Sequence, residues 1–74
     1  MNLLNGVIGN EYIVLNINVD ENIGRRLQAL GLTNGTRVKI LNNKKSGSII
    51  FKVRGTRLAI GKKIAEGILV SEEE

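Results

Sequence analysis

Side chains for acid–base, nucleophilic or metal chemistry are scarce in this sequence. Its 74 residues include no histidine and no cysteine, which removes the commonest general base, the reactive thiol and the preferred ligands of transition metals. Asp20 and Glu66 are isolated acids that are better interpreted as residues at helix ends. The glycines do not form a phosphate-binding loop. The residue types therefore predict a protein that is not an enzyme and that has no cofactor.

A metal site in this chain would have oxygen ligands alone. Glu72, Glu73 and Glu74 form a run of carboxylates within residues 71–74. An exposed run of this kind binds divalent cations weakly and without selectivity. We interpret it as a solubilising acidic tail that is frayed from the domain, so the sequence predicts no resident metal site.

Basic side chains are concentrated in the middle of the chain. All eleven Lys and Arg residues lie between Arg25 and Lys63, the seven acids lie outside the basic stretch, and the net charge is +4. This segregation indicates either a solvated surface or a face that meets an anionic partner, which would be an acidic protein surface or nucleic acid. The candidate contact residues belong to a predicted helix and to the outward faces of predicted strands: Arg25, Arg26, Gln28, Arg37, Lys39, Lys52, Arg54 and Arg57.

The choice between protein and nucleic acid depends on aromatic residues and on the helix. Tyr12 and Phe51 are the only aromatic residues, and Phe51 lies on the apolar side of a predicted strand, so no stacking platform for single strands is expected. The one sizeable helix lacks the pattern of a recognition helix. We favour an adaptor that binds another protein, because the planar fork of arginine pairs bidentately with carboxylates. A basic module that binds nucleic acid remains the alternative.

The stretch 22–38 is predicted to position these cations. Its apolar residues follow the spacing of one helical face, at positions Ile23, Leu27 and Leu30. Asp20 is the predicted N-cap, Gly31 the left-handed stop, and Leu32 a residue that folds back onto the last turn. We expect Leu27 and Leu30 to serve mainly as core. Asn34-Gly35 is a predicted turn into a strand.

Short strands are predicted around this helix, at 11–19, 36–42, 48–54, 57–60 and near Ile68 and Val70. In the first strand, Ile13, Leu15, Ile17 and Val19 share one face, and the half-polar opposite face starts with Tyr12 and Val14. Residues 42–48 are a predicted loop, Gly55-Thr56 a tight reversal and 61–67 a short helical segment. Short reversals imply antiparallel pairing that protects the strand edges, so we expect a small β-barrel with a helix over one opening.

Two segments also resemble a known family. The first has the pattern Arg26-Leu27-x-x-Leu30-Gly31-Leu32-x-x-Gly35-x-x-Val38, and the second runs from Gly55-Thr56-Arg57-Leu58-Ala59-Ile60 to Ala65-x-x-Ile68-x-Val70. Their order and spacing are similar to those of the FeoA family, ferrous iron transport protein A. The opening with Leu3 and Gly9 fits as well, so the resemblance covers nearly the whole chain.

The resemblance implies a mainly β fold, a small SH3-like β-barrel of about five antiparallel strands with one inserted helix and one short C-terminal helical turn. It implies a single domain over residues 1–74 and a cytoplasmic location. It further implies a non-enzymatic accessory or regulatory protein of bacterial ferrous iron uptake. The expected partner is the cytosolic, GTPase-containing region of the FeoB-type transporter. The same barrel occurs in metal-dependent transcription repressors, which makes metal-dependent regulation a second alternative.

Overall fold

Five strands form one antiparallel sheet in the computed structural model, which describes residues 1–44 and 47–72. A short 3-10 helix, Leu3–Asn5, precedes the sheet. The remaining elements follow in chain order: β1 (Glu11–Ile17), α1 (Glu21–Ala29), β2 (Arg37–Asn43), β3 (Ser48–Val53), β4 (Thr56–Gly61), α2 (Lys62–Glu66) and β5 (Ile68–Glu72). The strand order is β4-β3-β2-β1-β5, which confirms the predicted mainly β class with antiparallel pairing.

Helix α1 begins and ends as its sequence predicts. The Asp20 side chain accepts a hydrogen bond from the backbone N–H of the second helical residue at 3.2 Å. Gly31 has φ +98°, the left-handed conformation that glycine adopts at least cost. The N–H groups of Gly31 and Leu32 donate to the carbonyls of Gln28 and Leu27 at 3.0 and 2.9 Å. These two bonds form a Schellman motif, which satisfies carbonyls that a helix end leaves unpaired.

The prediction that Leu30 belongs to the core is wrong. Leu27 is buried, with 5% exposure, but Leu30 is 47% exposed. Leu30 is the C-cap residue and lines the same open groove as Ile23 and Leu27, so it stays on that helical face but at its exposed end. Leu32, fully buried, takes the core position beyond the stop.

A single core lies between the sheet, the helices and the N-terminal segment. Its buried hydrophobic residues come from every element: Leu3, Tyr12, Val14, Leu27, Leu32, Val38, Ile40, Ile49, Phe51, Val53, Ile60, Ala65, Ile68 and Val70. Val38, Ile40, Ile49, Phe51 and Val53 alternate with outward residues along β2 and β3, as their period of two predicts.

The first strand faces the core with the side that looked less apolar. Tyr12 and Val14 are buried, whereas Leu15 is 54% exposed. The Tyr12 hydroxyl accepts a hydrogen bond from the backbone N–H of Val7 at 2.8 Å, so burial leaves the hydroxyl satisfied. A register shift between Val14 and Asn16 then breaks the alternation. Strand β1 also ends at Ile17, two residues before the predicted end.

Residues at the start of the predicted loop and of the predicted tail belong to strands. Strand β2 continues through Asn43, whose Nδ2 donates to the carbonyls of Leu4 and Gly6, both at 2.9 Å. Of the predicted loop, residues 45 and 46 lie outside the described residues. Ser71 and Glu72 belong to β5, so they are not a frayed tail, because β5 pairs with β1 up to Tyr12. Glu73 and Glu74 lie outside the described residues.

The reversal between β3 and β4 is one residue earlier than predicted. Val53 stands opposite Thr56, so Arg54 and Gly55 are the two turn residues. Both have positive φ, 49° and 80°, as a type I′ turn requires. Arg54, expected on the outward face of a strand, is therefore a turn residue. In α2, Ala65 is buried.

Candidate functional site

A cationic groove lies where the ends of β2 and β3 meet the Arg54-Gly55 turn. Its volume is about 470 Å³, and its lining combines four predicted contact residues with four others: Glu11, Gly35, Thr36, Arg37, Lys39, Lys52, Arg54 and Gly55. The four cations are exposed, because they alternate with the buried Val38 and Val53 or lie in the turn. The structure thus brings half of the predicted residues to one concave surface.

Strand register places a further predicted cation beside this groove. Lys39 stands directly opposite Lys52, and Lys52 stands directly opposite Arg57. These three residues form a row across β2, β3 and β4, and we call them the cationic row. Neighbouring strands lie about 4.7–4.9 Å apart, so three positive charges are concentrated within a short distance on the outer face of the sheet.

Glu11 is the acidic residue of this surface. It stands opposite Lys39, and its Oε2 lies 3.8 Å from the Arg37 Nε. Both side chains are about half exposed, at 60% for Arg37 and 46% for Glu11, so solvent screens the pair and it contributes little stability. Sequence reasoning missed Glu11, because only the β1–β2 register reveals that it adjoins the cations.

Arg54 connects the groove to the end of helix α1. A β-carbon at Gly31 would lie 3.0 Å from Arg54 Cδ and 3.8 Å from its Cβ. The aliphatic part of Arg54 therefore covers the Schellman motif. A cation beside a helix C-terminus also complements the helix dipole, so Arg54 has a structural contact as well as an exposed position in the groove.

The helix residues of the predicted set face two other hollows. Arg25 pairs with Glu21 one turn earlier, at 2.6 Å, with side-chain exposures of 71% and 78%. Arg25 and Gln28 line a hollow of about 530 Å³. Arg26 lines a separate groove of about 310 Å³ whose other residues are mainly apolar: Ile23, Leu27, Leu30, Leu58, Ala59, Ile60 and Ile64. The eight predicted residues therefore do not form one continuous site.

The chemistry available at the cationic groove is the binding of anions. Its guanidinium and ammonium groups donate hydrogen bonds to carboxylate or phosphate oxygens. Within residues 1–44 and 47–72, no group of three acidic residues is arranged to hold a metal ion. No helix in the same residues is long and apolar enough to cross a membrane.

Comparison with known proteins gives consistent matches over the whole chain. The FeoA domain family matches residues 1–72. A protein of Methanocaldococcus jannaschii that is named for Fe(2+) transport, as transport protein A, is 32% identical over 66 residues, which are 89% of this chain and 79% of that protein. The solution structure of the FeoA protein of Chlorobium tepidum has a TM-score of 0.90 at 30% identity and covers 97% of this chain and 70% of that one.

More distant structures share the fold. The zinc complex of Stenotrophomonas maltophilia FeoA, described as a procaryotic SH3 domain protein, has a TM-score of 0.81 at 24% identity, covering 96% of this chain and 89% of that one. A manganese-dependent transcriptional repressor has a TM-score of 0.88 at 20% identity, covering 99% of this chain and 41% of that one. These likenesses confirm the SH3-like fold. Because the family match spans residues 1–72 and a relative at 32% identity covers most of the same residues, the chain belongs to the FeoA domain family.

Proposed function

We propose that this protein is a non-enzymatic, cytoplasmic accessory factor of ferrous iron transport that acts by binding the cytosolic, GTPase-containing region of a FeoB-type transporter. The observation that carries the proposal is membership of the FeoA domain family over residues 1–72, together with a relative named for Fe(2+) transport. The composition agrees with this role, because a chain without histidine or cysteine has few groups for catalysis or for selective binding of transition metals.

The cationic groove is the proposed main contact with the transporter. It presents Arg37, Lys39, Lys52 and Arg54 in a concave surface, with Arg57 beside Lys52. Arginine is favoured at protein interfaces because its rigid fork pairs bidentately with carboxylates. The exposed groups of α1 are further candidates, with Arg25 and Gln28 at one hollow and Arg26 at another.

Nucleic acid binding and metal-dependent transcription regulation are less favoured. The repressor that shares this fold is 20% identical, and this chain covers 41% of it, so the likeness concerns the fold of one part of that protein. Tyr12 and Phe51, the only aromatic residues, are both fully buried. Neither ring is available to stack on bases, which is how single-strand binders gain much of their affinity.

The test is an amide NMR titration of the ¹⁵N-labelled protein with the isolated cytosolic region of the transporter, with duplex DNA and with Fe(II). We expect shifts confined to one face with the cytosolic region. Two double variants, Lys39→Glu with Lys52→Glu and Arg25→Glu with Arg26→Glu, then assign the contact to the groove or to the helix. Both pairs are exposed, so we expect the variants to retain the fold.

The competing results are distinct. Shifts with DNA but not with the cytosolic region would favour the nucleic acid alternative. The logarithm of the DNA binding constant should then fall linearly with the logarithm of the salt concentration. Selective, saturable shifts with Fe(II) alone would favour metal sensing. No response to the cytosolic region would exclude the proposed partner contact.

A further inference from the structure

The cationic row places like charges directly opposite each other, at a cost to the stability of the sheet. Lys39 faces Lys52 and Lys52 faces Arg57, and like charges directly opposite each other destabilise a sheet. In the described residues, no acidic side chain forms an ion pair with Lys52 or Arg57, and Glu11, at the end of the row, is near Arg37. Within the described residues, the positive charges of Lys52 and Arg57 are therefore available to an acidic partner.

A second row of outward residues runs beside the first. Ile50 stands opposite Ala59, each two residues along the strand from a member of the cationic row. Leu41, 37% exposed, lies in the register shift of β2, next to Asn42, the residue that is paired with Ile50. Two residues along a strand correspond to about 6.4–6.8 Å, so an apolar row borders the cationic row on the same outer face. We call Leu41, Ile50 and Ala59 the apolar row.

The spacing within the cationic row matches carboxylates on a helix better than carboxylates on an extended chain. Opposed residues on neighbouring antiparallel strands have Cα atoms about 4.5–5.5 Å apart. Carboxylates one turn apart on a helix have Cβ atoms about 5–6 Å apart, whereas same-face residues of an extended chain are about 6.4–6.8 Å apart. A helix of about 10–12 Å diameter can also cover both rows at once, with an apolar stripe over Ile50 and Ala59.

From this geometry, we infer that the outer face of β2, β3 and β4 is a docking surface for an acidic amphipathic helix of the transporter's cytosolic region, an inference that rests on the proposed function. The helix lies across the strands, with carboxylates at every third or fourth position over Lys39, Lys52 and Arg57. Its small apolar residues lie over the apolar row. Nucleic acid would neutralise the charges but would leave the apolar row without a complementary surface.

The test uses two synthetic peptides and the isolated cytosolic region. The first peptide is a helix with glutamates every fourth residue and an adjacent stripe of leucine and alanine. The second has the same composition, with the residues rearranged so that no stripe forms. Each is titrated into the ¹⁵N-labelled protein at low and at near-physiological salt, as are the cytosolic region and duplex DNA.

Two charge-matched variants report whether the row itself is the site. Lys39→Glu with Lys52→Glu reverses the row. Lys62→Glu with Lys63→Glu makes the same change of charge at exposed positions of α2. We expect the striped peptide to shift amides of both rows, and the row variant to weaken its binding about tenfold or more. The α2 control should change affinity less than about threefold, since exposed charges away from a contact act weakly.

Each contrary outcome has one meaning. Equal binding of the rearranged peptide would overturn helix recognition, and equal loss in both variants would show attraction by net charge alone. Binding of DNA but of neither peptide at the row would overturn the inference in favour of nucleic acid. If the cytosolic region binds without sensitivity to the row variant, the inference fails and the proposed function stands. If the striped peptide binds at the row but the cytosolic region binds nowhere, the proposed function fails, and with it the assignment of the helix to the transporter; the recognition of an acidic helix by the row stands.

Discussion

The carbonyl oxygen of Asn18 fills the space that a β-carbon at Gly67 would need. The two residues are also hydrogen bonded, because the Asn18 N–H donates to the Gly67 carbonyl at 2.7 Å. Gly67 has φ −85° and ψ −4°, a conformation open to any residue, so its glycine is required by close approach and not by backbone strain. This contact joins the end of α2 to the chain that leaves β1.

Adding a single methyl group at Gly67 should therefore destabilise the protein. We expect Gly67→Ala to lower the free energy of unfolding by about 1–3 kcal/mol, the usual range for overpacking. Gly61→Ala is the control, because a β-carbon there meets nothing within 4 Å and φ is −73°. Denaturant unfolding of both variants measures the difference. Equal stability of the two would show that the backbone can move apart at Gly67 without cost.

The two leucines of α1 should differ sharply in their contribution to stability. Leu27 is buried in the core, whereas Leu30 is 47% exposed. Leu27→Ala should lower the free energy of unfolding by about 2–5 kcal/mol, since it removes buried methyl groups and leaves a cavity. Leu30→Ala should lower it by less than about 1 kcal/mol. Chemical denaturation measures both, and similar losses would mean that Leu30 is packed in solution.

The Tyr12 hydroxyl should tie the N-terminal segment to the sheet. It accepts the backbone N–H of Val7 at 2.8 Å, and Tyr12 itself is fully buried. Tyr12→Phe keeps the ring and removes this hydrogen bond, so we expect a loss of about 0.5–1.5 kcal/mol. Amide hydrogen exchange should accelerate at Val7 more than at the centre of β3. Unchanged exchange at Val7 would show that the bond does not hold the segment.

The elements that could be predicted from sequence are those fixed by local interactions. Asp20, Gly31 and Leu32 each act within one turn of α1, so their types and positions sufficed to predict both caps. The buried face of β1 could not be predicted, because Tyr12 and Val14 compete with a more apolar set on the other side. The pairing of β1 with β2 and β5 decides between them, because it places Tyr12 opposite Val38 and Val14 opposite Val70, which are both buried.

The candidate site was predictable in its residues but not in its arrangement. Lys39 and Lys52 could be identified as exposed, since they alternate with core residues. Their alignment with Arg57 depends on the β2–β3 and β3–β4 registers, and the second register follows from the turn at Arg54-Gly55. Without those pairings, the cations of α1 and of the sheet could not be separated into different surfaces.

A final prediction concerns the cost of the cationic row to the protein itself. Lys52 stands between Lys39 and Arg57, so Lys52→Glu converts two like-charge pairs into two opposite-charge pairs. We expect the free energy of unfolding to rise by a few tenths of a kcal/mol at low salt. The gain should fade as salt screens the charges. Lys44→Glu is the control, since Lys44 is exposed and lies outside the row and outside both helices.

The same substitution should weaken binding to the cytosolic region of the transporter, because it places a negative charge where a partner carboxylate is expected. Thermal unfolding at two salt concentrations and a binding titration measure the two effects in one protein. A variant that is more stable but binds less well would show that repulsion within the row is retained for binding. A variant that loses stability at low salt would show that Lys52 is held by favourable contacts, and that the row is part of the fold and not a surface awaiting a partner.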